Sequence, residues 1–83
     1  MKLLYFAWVK TRIGIAEEDL TPPAEVATVG QLMTWLSARG EGYAAAFAEP
    51  ERLRAAVNQS FAALDAPIGP GDEVAFFPPV TGG

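Results

Sequence analysis

Apolar residues follow one another without a break from Leu3 to Val9, and lysines close the run at Lys2 and Lys10. Aromatic and branched side chains with no breaker between them predict a strand over Lys2 to Val9. Both lysines have even numbers, so the even face (Leu4, Phe6, Trp8) is expected to reach solvent at its ends. The odd face (Leu3, Tyr5, Ala7, Val9) then points into the core. Gly14 turns the chain. Ile15 to Val26 offers a second strand, which Pro22 and Pro23 confine to a sheet edge or make irregular.

The period changes at Thr28. Thr28-Val29-Gly30-Gln31 has the form of a capping box, with Thr28 as N-cap and Gln31 reaching back. Val29, Leu32, Met33 and Leu36 then form one stripe at helical spacing, which predicts a helix to about Ala38 with Gly40 as its C′ stop. A second short helix is expected over Tyr43 to Ala48, before Pro50. Leu53 to Val57 reads as a third strand, Asn58-Gln59 as a turn, and Ser60 to Ala63 or Leu64 as a short strand. Asp65-Ala66-Pro67 and Gly69-Pro70-Gly71-Asp72 are loop chemistry. Glu73 to Phe77 is the last strand, with Val74 and Phe76 facing one way and Glu73, Ala75 and Phe77 the other.

The order strand, strand, helix, strands predicts an α+β roll, a mixed sheet packed on one main helix, in the outline of a β-grasp. Residues 1–77 make the domain, and residues 78–83 are expected to form a flexible Gly-Gly tail.

Composition narrows the chemistry. The 83 residues include no cysteine and no histidine. That removes a thiol nucleophile, a side-chain persulfide, an imidazole base and the usual zinc ligand sets, so no metal and no bound cofactor is expected. The net charge is −4, and Lys2 and Lys10 are the only lysines. A nucleic-acid phosphate backbone is therefore an unsuitable partner, and a basic protein surface a better one. The apolar run near the start is too short to cross a bilayer or serve as a signal peptide, so a cytoplasmic location and no membrane partner are expected. The acidic groups Glu17-Glu18-Asp19 and Asp72-Glu73 read as solvated loop and turn residues, and Arg39, Arg52 and Arg54 as plain surface charges.

The last stretch, "FFPPVTGG", is unlike an ordinary chain end. Six residues follow Phe77, a reach of roughly 20 Å at about 3.3 Å per residue. Pro78 and Pro79 favour an extended start that aims the arm outward. Gly82 and Gly83 have no side chains, so they can enter a narrow channel and admit another enzyme's atoms close to the backbone. An ionised terminal carboxylate is a poor electrophile. To react, it must be activated by a partner, for example as an acyl-adenylate.

These residues carry a family likeness. Ala56-Val57-Asn58-Gln59, Asp65, Pro67, Gly71-Asp72-Glu73-Val74-Ala75 and the whole of "FFPPVTGG" resemble the sulfur-carrier small subunits of molybdopterin synthases, and "LLYFAWVK" resembles that family's first strand. The likeness covers both ends of the chain, and the middle, Gly14 to Glu51, is supported by fold pattern. It implies a ubiquitin-like fold and a carrier role in molybdenum cofactor biosynthesis. An ATP-dependent adenylating enzyme would activate Gly83, sulfur would replace one oxygen to give a thiocarboxylate, and the synthase large subunit would accept the tail. The sulfur would pass to cyclic pyranopterin monophosphate, two carriers being consumed per dithiolene, in a heterotetramer of two small and two large subunits.

The resemblance also assigns a docking face. Phe6, Phe61 and Phe77 correspond to the family's apolar partner-binding positions, with Trp8 a weaker candidate for extending them. Pro78, Pro79, Val80 and Thr81 would follow the tail into the partner. Three other readings remain: a thiamine-type sulfur carrier, a ubiquitin-like modifier joined through Gly83 to lysines, and a non-reactive binding module. The "FFPP" lead-in favours the molybdopterin carrier.

Overall fold

Helix α2 (Val29–Ser37) begins where its sequence caps it. The Gln31 backbone N–H donates to the Thr28 hydroxyl at 3.2 Å, and the Gln31 side-chain carbonyl accepts from the Thr28 N–H at 3.2 Å. Two end groups that a helix leaves unpaired are thus satisfied reciprocally. Val29, Leu32, Met33 and Leu36 are all buried, as their spacing predicts. Each fully buried side chain of this kind contributes about 1.5–3 kcal/mol.

The computed structural model describes residues 1–79. Among them are strands β1 (Lys2–Tyr5), β2 (Glu17–Asp19), β3 (Arg54–Val57), β4 (Ser60–Ala62) and β5 (Glu73–Phe77). Helices α1 (Ala7–Ile13) and α3 (Glu41–Ala46) and a 3-10 turn at Pro50–Arg52 complete the elements. The strands form one sheet in the order β2-β1-β5-β3-β4. β1 and β5 run parallel, and every other neighbouring pair is antiparallel. A mixed sheet packed on α2 is the β-grasp that the element order predicts. The core holds Leu3 and Tyr5 of β1, Val74 and Phe76 of β5, Ala55 of β3 and the α2 stripe. Phe47 meets Phe76 edge to face, with ring centroids 5.0 Å apart.

Three local expectations fail. The strand predicted over Lys2 to Val9 stops at Tyr5, and Ala7–Ile13 is helix. Phe6 is still extended, but Ala7 takes a φ of 54°, a left-handed bend that a small side chain enters at lower cost than a branched one. Val9 is buried as foreseen, whereas Ala7, expected in the core, is exposed. Gly14 does turn the chain, as the left-handed cap of α1 (φ 99°), its N–H donating to the Lys10 carbonyl at 2.7 Å.

The second failure is Gly40. It is extended and caps the start of α3, while α2 ends by tightening, the Arg39 N–H reaching the Leu36 carbonyl at 2.9 Å. Third, α3 starts two residues ahead of the expected Tyr43, with Glu41 in its first turn, where the helix dipole favours an acid. The proline-flanked segment behaves as foreseen: β2 is short and lies at a sheet edge.

α3 also packs directly on the end of α1. A Cβ built on Gly42 would collide with the backbone carbonyl of Arg12, which no rotamer change can move. Gly42→Ala should therefore lower stability by about 1–3 kcal/mol. A chemical-denaturation midpoint checks this; an unchanged midpoint would mean the two helices separate freely.

Candidate functional site: the outer sheet face and the root of the tail

Strand alternation leaves one face of the sheet uncovered by helices. Pairing sets Leu4 beside Ala75, Ala75 beside Ala56 and Ala56 beside Phe61, a row of apolar positions across four strands. Arg54 stands across from Phe77, one step nearer the tail. Phe61 is 82% exposed and Phe6 49%, and Phe77 is half-buried. The Phe61 and Phe77 rings lie 5.9 Å apart, so two of the three predicted docking aromatics touch. Phe6 continues the parallel pairing, its N–H donating to the Phe76 carbonyl at 3.1 Å. Its extended backbone keeps it in phase with Leu4 on the uncovered face. Trp8 is on α1, partly buried against the core with the Arg12 guanidinium 4.4 Å from its ring, and does not extend the face.

The β3–β4 hairpin presents Phe61. Asn58 (φ 50°) and Gln59 (φ 72°) both take the left-handed conformation, as a two-residue hairpin with the favoured twist requires. The Asn58 amide then clasps the start of β5: its N–H₂ donates to Asp72 Oδ1 at 2.9 Å, and its oxygen accepts from the Glu73 N–H at 3.0 Å. Asp72 Oδ2 accepts from the Gly69 N–H at 2.7 Å. The Asn58 hydrogen bond, followed by that from Gly69, holds the Asp72 carboxyl below the usual carboxylate range. The sequence reading had Asp72 as a solvated turn acid; it is a half-buried acid with a structural task, joining the Phe61 hairpin to the tail strand.

A cleft of about 470 Å³ opens beside this patch, lined by Phe61, Phe77, Pro79, Arg54 and the alanines of β4 and its end. Pro78 is half-buried and Pro79 exposed, so the chain leaves the sheet at the cleft's rim. Val80, Thr81, Gly82 and Gly83, the remaining predicted site residues, lie outside the described residues.

A second cluster lies on the core side. Glu18, read from the sequence as a solvated loop acid, is in β2 opposite Leu3 and accepts from both tyrosine hydroxyls: Tyr5 at 2.8 Å and Tyr43 at 2.6 Å. Burial, then the hydrogen bond to Glu18, pushes the Tyr5 hydroxyl far above its ordinary value. The same causes raise Tyr43, with Arg39 acting against them. Only register could have revealed this latch, because its three members lie far apart in the sequence. Among the described residues no group of acids could hold a metal ion, and no helix is long and apolar enough to span a membrane. The site's assets are an apolar face, one cation and an exit for the chain.

The chain has two tyrosines, both in this latch, so alkaline titration reports on it alone. Their hydroxyls ionise later in the folded state, so the latch's stabilisation is complete below the unfolded-chain value of about 10 and lost as pH rises above it. Tyrosinate absorbance should stay low past that pH and rise together with loss of helical circular dichroism. Glu18→Gln should bring the rise to lower pH. Tyrosinate appearing at the ordinary value in folded protein would contradict the latch.

Residues 3–83 match the ThiS family. The chain is 42% identical over 83 residues to the molybdopterin synthase sulfur carrier subunit of Escherichia coli (strain K12), covering 100% of this chain and 99% of that protein. Among solved structures, a putative molybdopterin converting factor, subunit 1, from Pyrococcus furiosus superposes with a TM-score of 0.76 at 31% identity, over 95% of each chain. SAMP1 from Haloferax volcanii superposes with a TM-score of 0.74 at 27% identity, over 100% of this chain and 98% of its own.

Proposed function

The chain belongs to the ThiS family, and from that footing we propose that it carries sulfur on its own C-terminus for dithiolene formation in molybdenum cofactor biosynthesis. The observation that carries this reading is the match to a molybdopterin synthase sulfur carrier subunit along the whole chain, at 42% identity. The absence of cysteine and histidine supports it, since a carrier that loads sulfur on the backbone terminus needs neither.

The chemistry divides between the carrier and its partners. An ATP-dependent adenylating enzyme joins a Gly83 carboxylate oxygen to the α-phosphate of ATP and releases pyrophosphate. A sulfur donor displaces AMP from that mixed anhydride, leaving a thiocarboxylate. Within the synthase, the thiocarboxylate sulfur attacks a side-chain carbon of cyclic pyranopterin monophosphate and displaces the oxygen substituent which that carbon bears, forming a carbon–sulfur bond as the carbon–oxygen bond breaks. Water then cleaves the acyl–sulfur bond, so sulfur stays on the pterin and Gly83 returns as a carboxylate. A dithiolene has two sulfurs, so two charged carriers are consumed per pterin, which suits a 2:2 assembly with the large subunit. The compartment is the cytoplasm.

The domain, residues 1–77, serves as a grip and residues 78–83 as the arm. Phe6, Phe61 and Phe77 dock on the large subunit. Pro78 and Pro79 aim the chain, Val80 and Thr81 follow it into the partner's channel, and Gly82 and Gly83 let the partner's atoms close around the reacting carbonyl.

Incubating the carrier with adenylating enzyme, ATP and a sulfide source tests the reading by intact mass. The expected gain is that of one oxygen exchanged for sulfur, and it should vanish when Gly82-Gly83 is deleted. Phe61→Ala should still be charged by the adenylating enzyme yet bind the large subunit with a loss of about 2 kcal/mol, a hot-spot value. Carrier that acquires no sulfur but appears in lysine-linked conjugates would make it a modifier, and capture of a thiazole synthase would reassign the cargo.

A further inference from the structure

The chain has six lysines and arginines, and five have an evident place away from the aromatic patch. Lys2 pairs with Glu17 at 3.2 Å and Arg52 with Glu49 at 3.3 Å. Arg12 lies over Trp8, Arg39 over Trp35 and Tyr43, and Lys10 is in the last turn of α1. Arg54 is different. It opens β3 across from Phe77, is exposed, and lines the cleft together with Phe61 and Pro79. It also borders a neighbouring cavity of about 200 Å³ with Leu64 and Phe76. Its Nη1 donates to the carbonyls of Leu53 at 2.8 Å and Glu51 at 3.2 Å. Among the described residues no carboxylate pairs with it.

We propose that Arg54 is a specificity-determining residue of the docking face, and that the protein surface covering Phe61 and Phe77 presents a carboxylate side chain to its guanidinium. This deepens, and rests on, the reading that the large subunit docks here. A partner that covers the two aromatic rings must strip water from Arg54, which stands between them and the cavity beyond. A guanidinium desolvated without a counter-charge is strongly unfavourable. The two carbonyls engage Nη1 alone, and the rest of the planar fork is shaped for a carboxylate. Charge supports the same occupant. The carrier is net −4, so its partner's surface is expected to be basic, and a single acid there would be attractive at Arg54 and repelled elsewhere on the carrier. That contrast fixes the docking register and rejects surfaces that are merely apolar.

Calorimetric titration of full-length carrier into the large subunit, at low and at raised salt, tests this with Arg54→Glu, Arg54→Met and Phe61→Ala. Arg54→Glu should weaken binding roughly tenfold or more. Arg54→Met, which keeps the apolar stem, should weaken it less and flatten the salt dependence. Phe61→Ala should weaken it with the salt dependence intact. Thermal unfolding should change little for both Arg54 variants, since Arg54 is itself exposed and loses only two hydrogen bonds, to an exposed carbonyl at Glu51 and a part-buried one at Leu53. In the complex, a carbodiimide should couple the amine introduced by Arg54→Lys to an aspartate or glutamate of the large subunit, identified by peptide mapping. If Arg54→Glu binds like the unaltered carrier while Phe61→Ala is weakened, the docking face stands and the Arg54 inference falls. Tighter binding by Arg54→Met would also overturn it, since the partner would then be apolar or aromatic at that point. If neither Phe61→Ala nor Arg54→Glu weakens binding, the docking reading falls together with it.

Discussion

β5 lies at the centre of the sheet, and its alternate residues serve two different surfaces. Val74 and Phe76 are wholly buried against α2 and its neighbours, so the strand cannot slip by one residue without turning both into solvent. That single constraint places everything that follows. Phe77, one residue beyond Phe76, must face outward, and the chain must leave the sheet at Pro78, between the end of β1 and the start of β3. The parallel partner β1 brings Phe6 to the same end, and the antiparallel partner β3 brings Arg54. A buried strand thus fixes where the chain leaves the sheet, and the precision of that exit comes from core packing.

The edges of the sheet are held by polar devices that resist fraying. β2 has three residues, too few for strong pairing alone, and Glu18 ties it through two tyrosine hydroxyls to β1 and α3. β4 is equally short, and the Asn58–Asp72 clasp fixes its hairpin to the start of β5. Both acids belong to groups that composition alone would assign to solvent. In each case the carboxylate accepts hydrogen bonds from two segments far apart in the sequence or on either side of a turn, and so adds a polar hold on register to a three-residue strand.

Local signals account for what the sequence made legible. The capping box and stripe of α2, the two-residue turn at Asn58-Gln59 and the alternation of β5 each reside within a few residues, and each is found where expected. The unbroken run from Leu3 to Val9 contains no period, so it could not distinguish a long strand from a short one followed by a helix. The choice is made by the left-handed bend at Ala7 and the packing of α1 against α3, a contact between residues thirty apart (Arg12 and Gly42). Gly40 misled for a related reason: glycine marks a break without saying which helix it belongs to. Phe6 and Phe77 were placed on the outer face by parity, correctly, whereas Arg54 looked like any surface charge until strand pairing set it beside Phe77.

A chain without cysteine or histidine has neither a thiol nor an imidazole to offer. Among the described residues no cluster of acids could hold a metal ion, so the proposed carrier chemistry uses the end of the backbone instead. This reverses the usual relation between scaffold and site, in which rigid elements hold reactive side chains in a pocket. Here the described elements supply a grip and a strand exit, and on the proposed docking reading selectivity comes from which surface can cover Phe61 and Phe77. Apolar area is a poor discriminator, because one greasy patch fits many others. A lone arginine inside such a patch makes the surface selective, since every partner that covers the aromatics must also answer the charge. On the proposed role of Arg54, the cation at the tail's root is what would distinguish a carrier that delivers to one address from a domain that adheres to many.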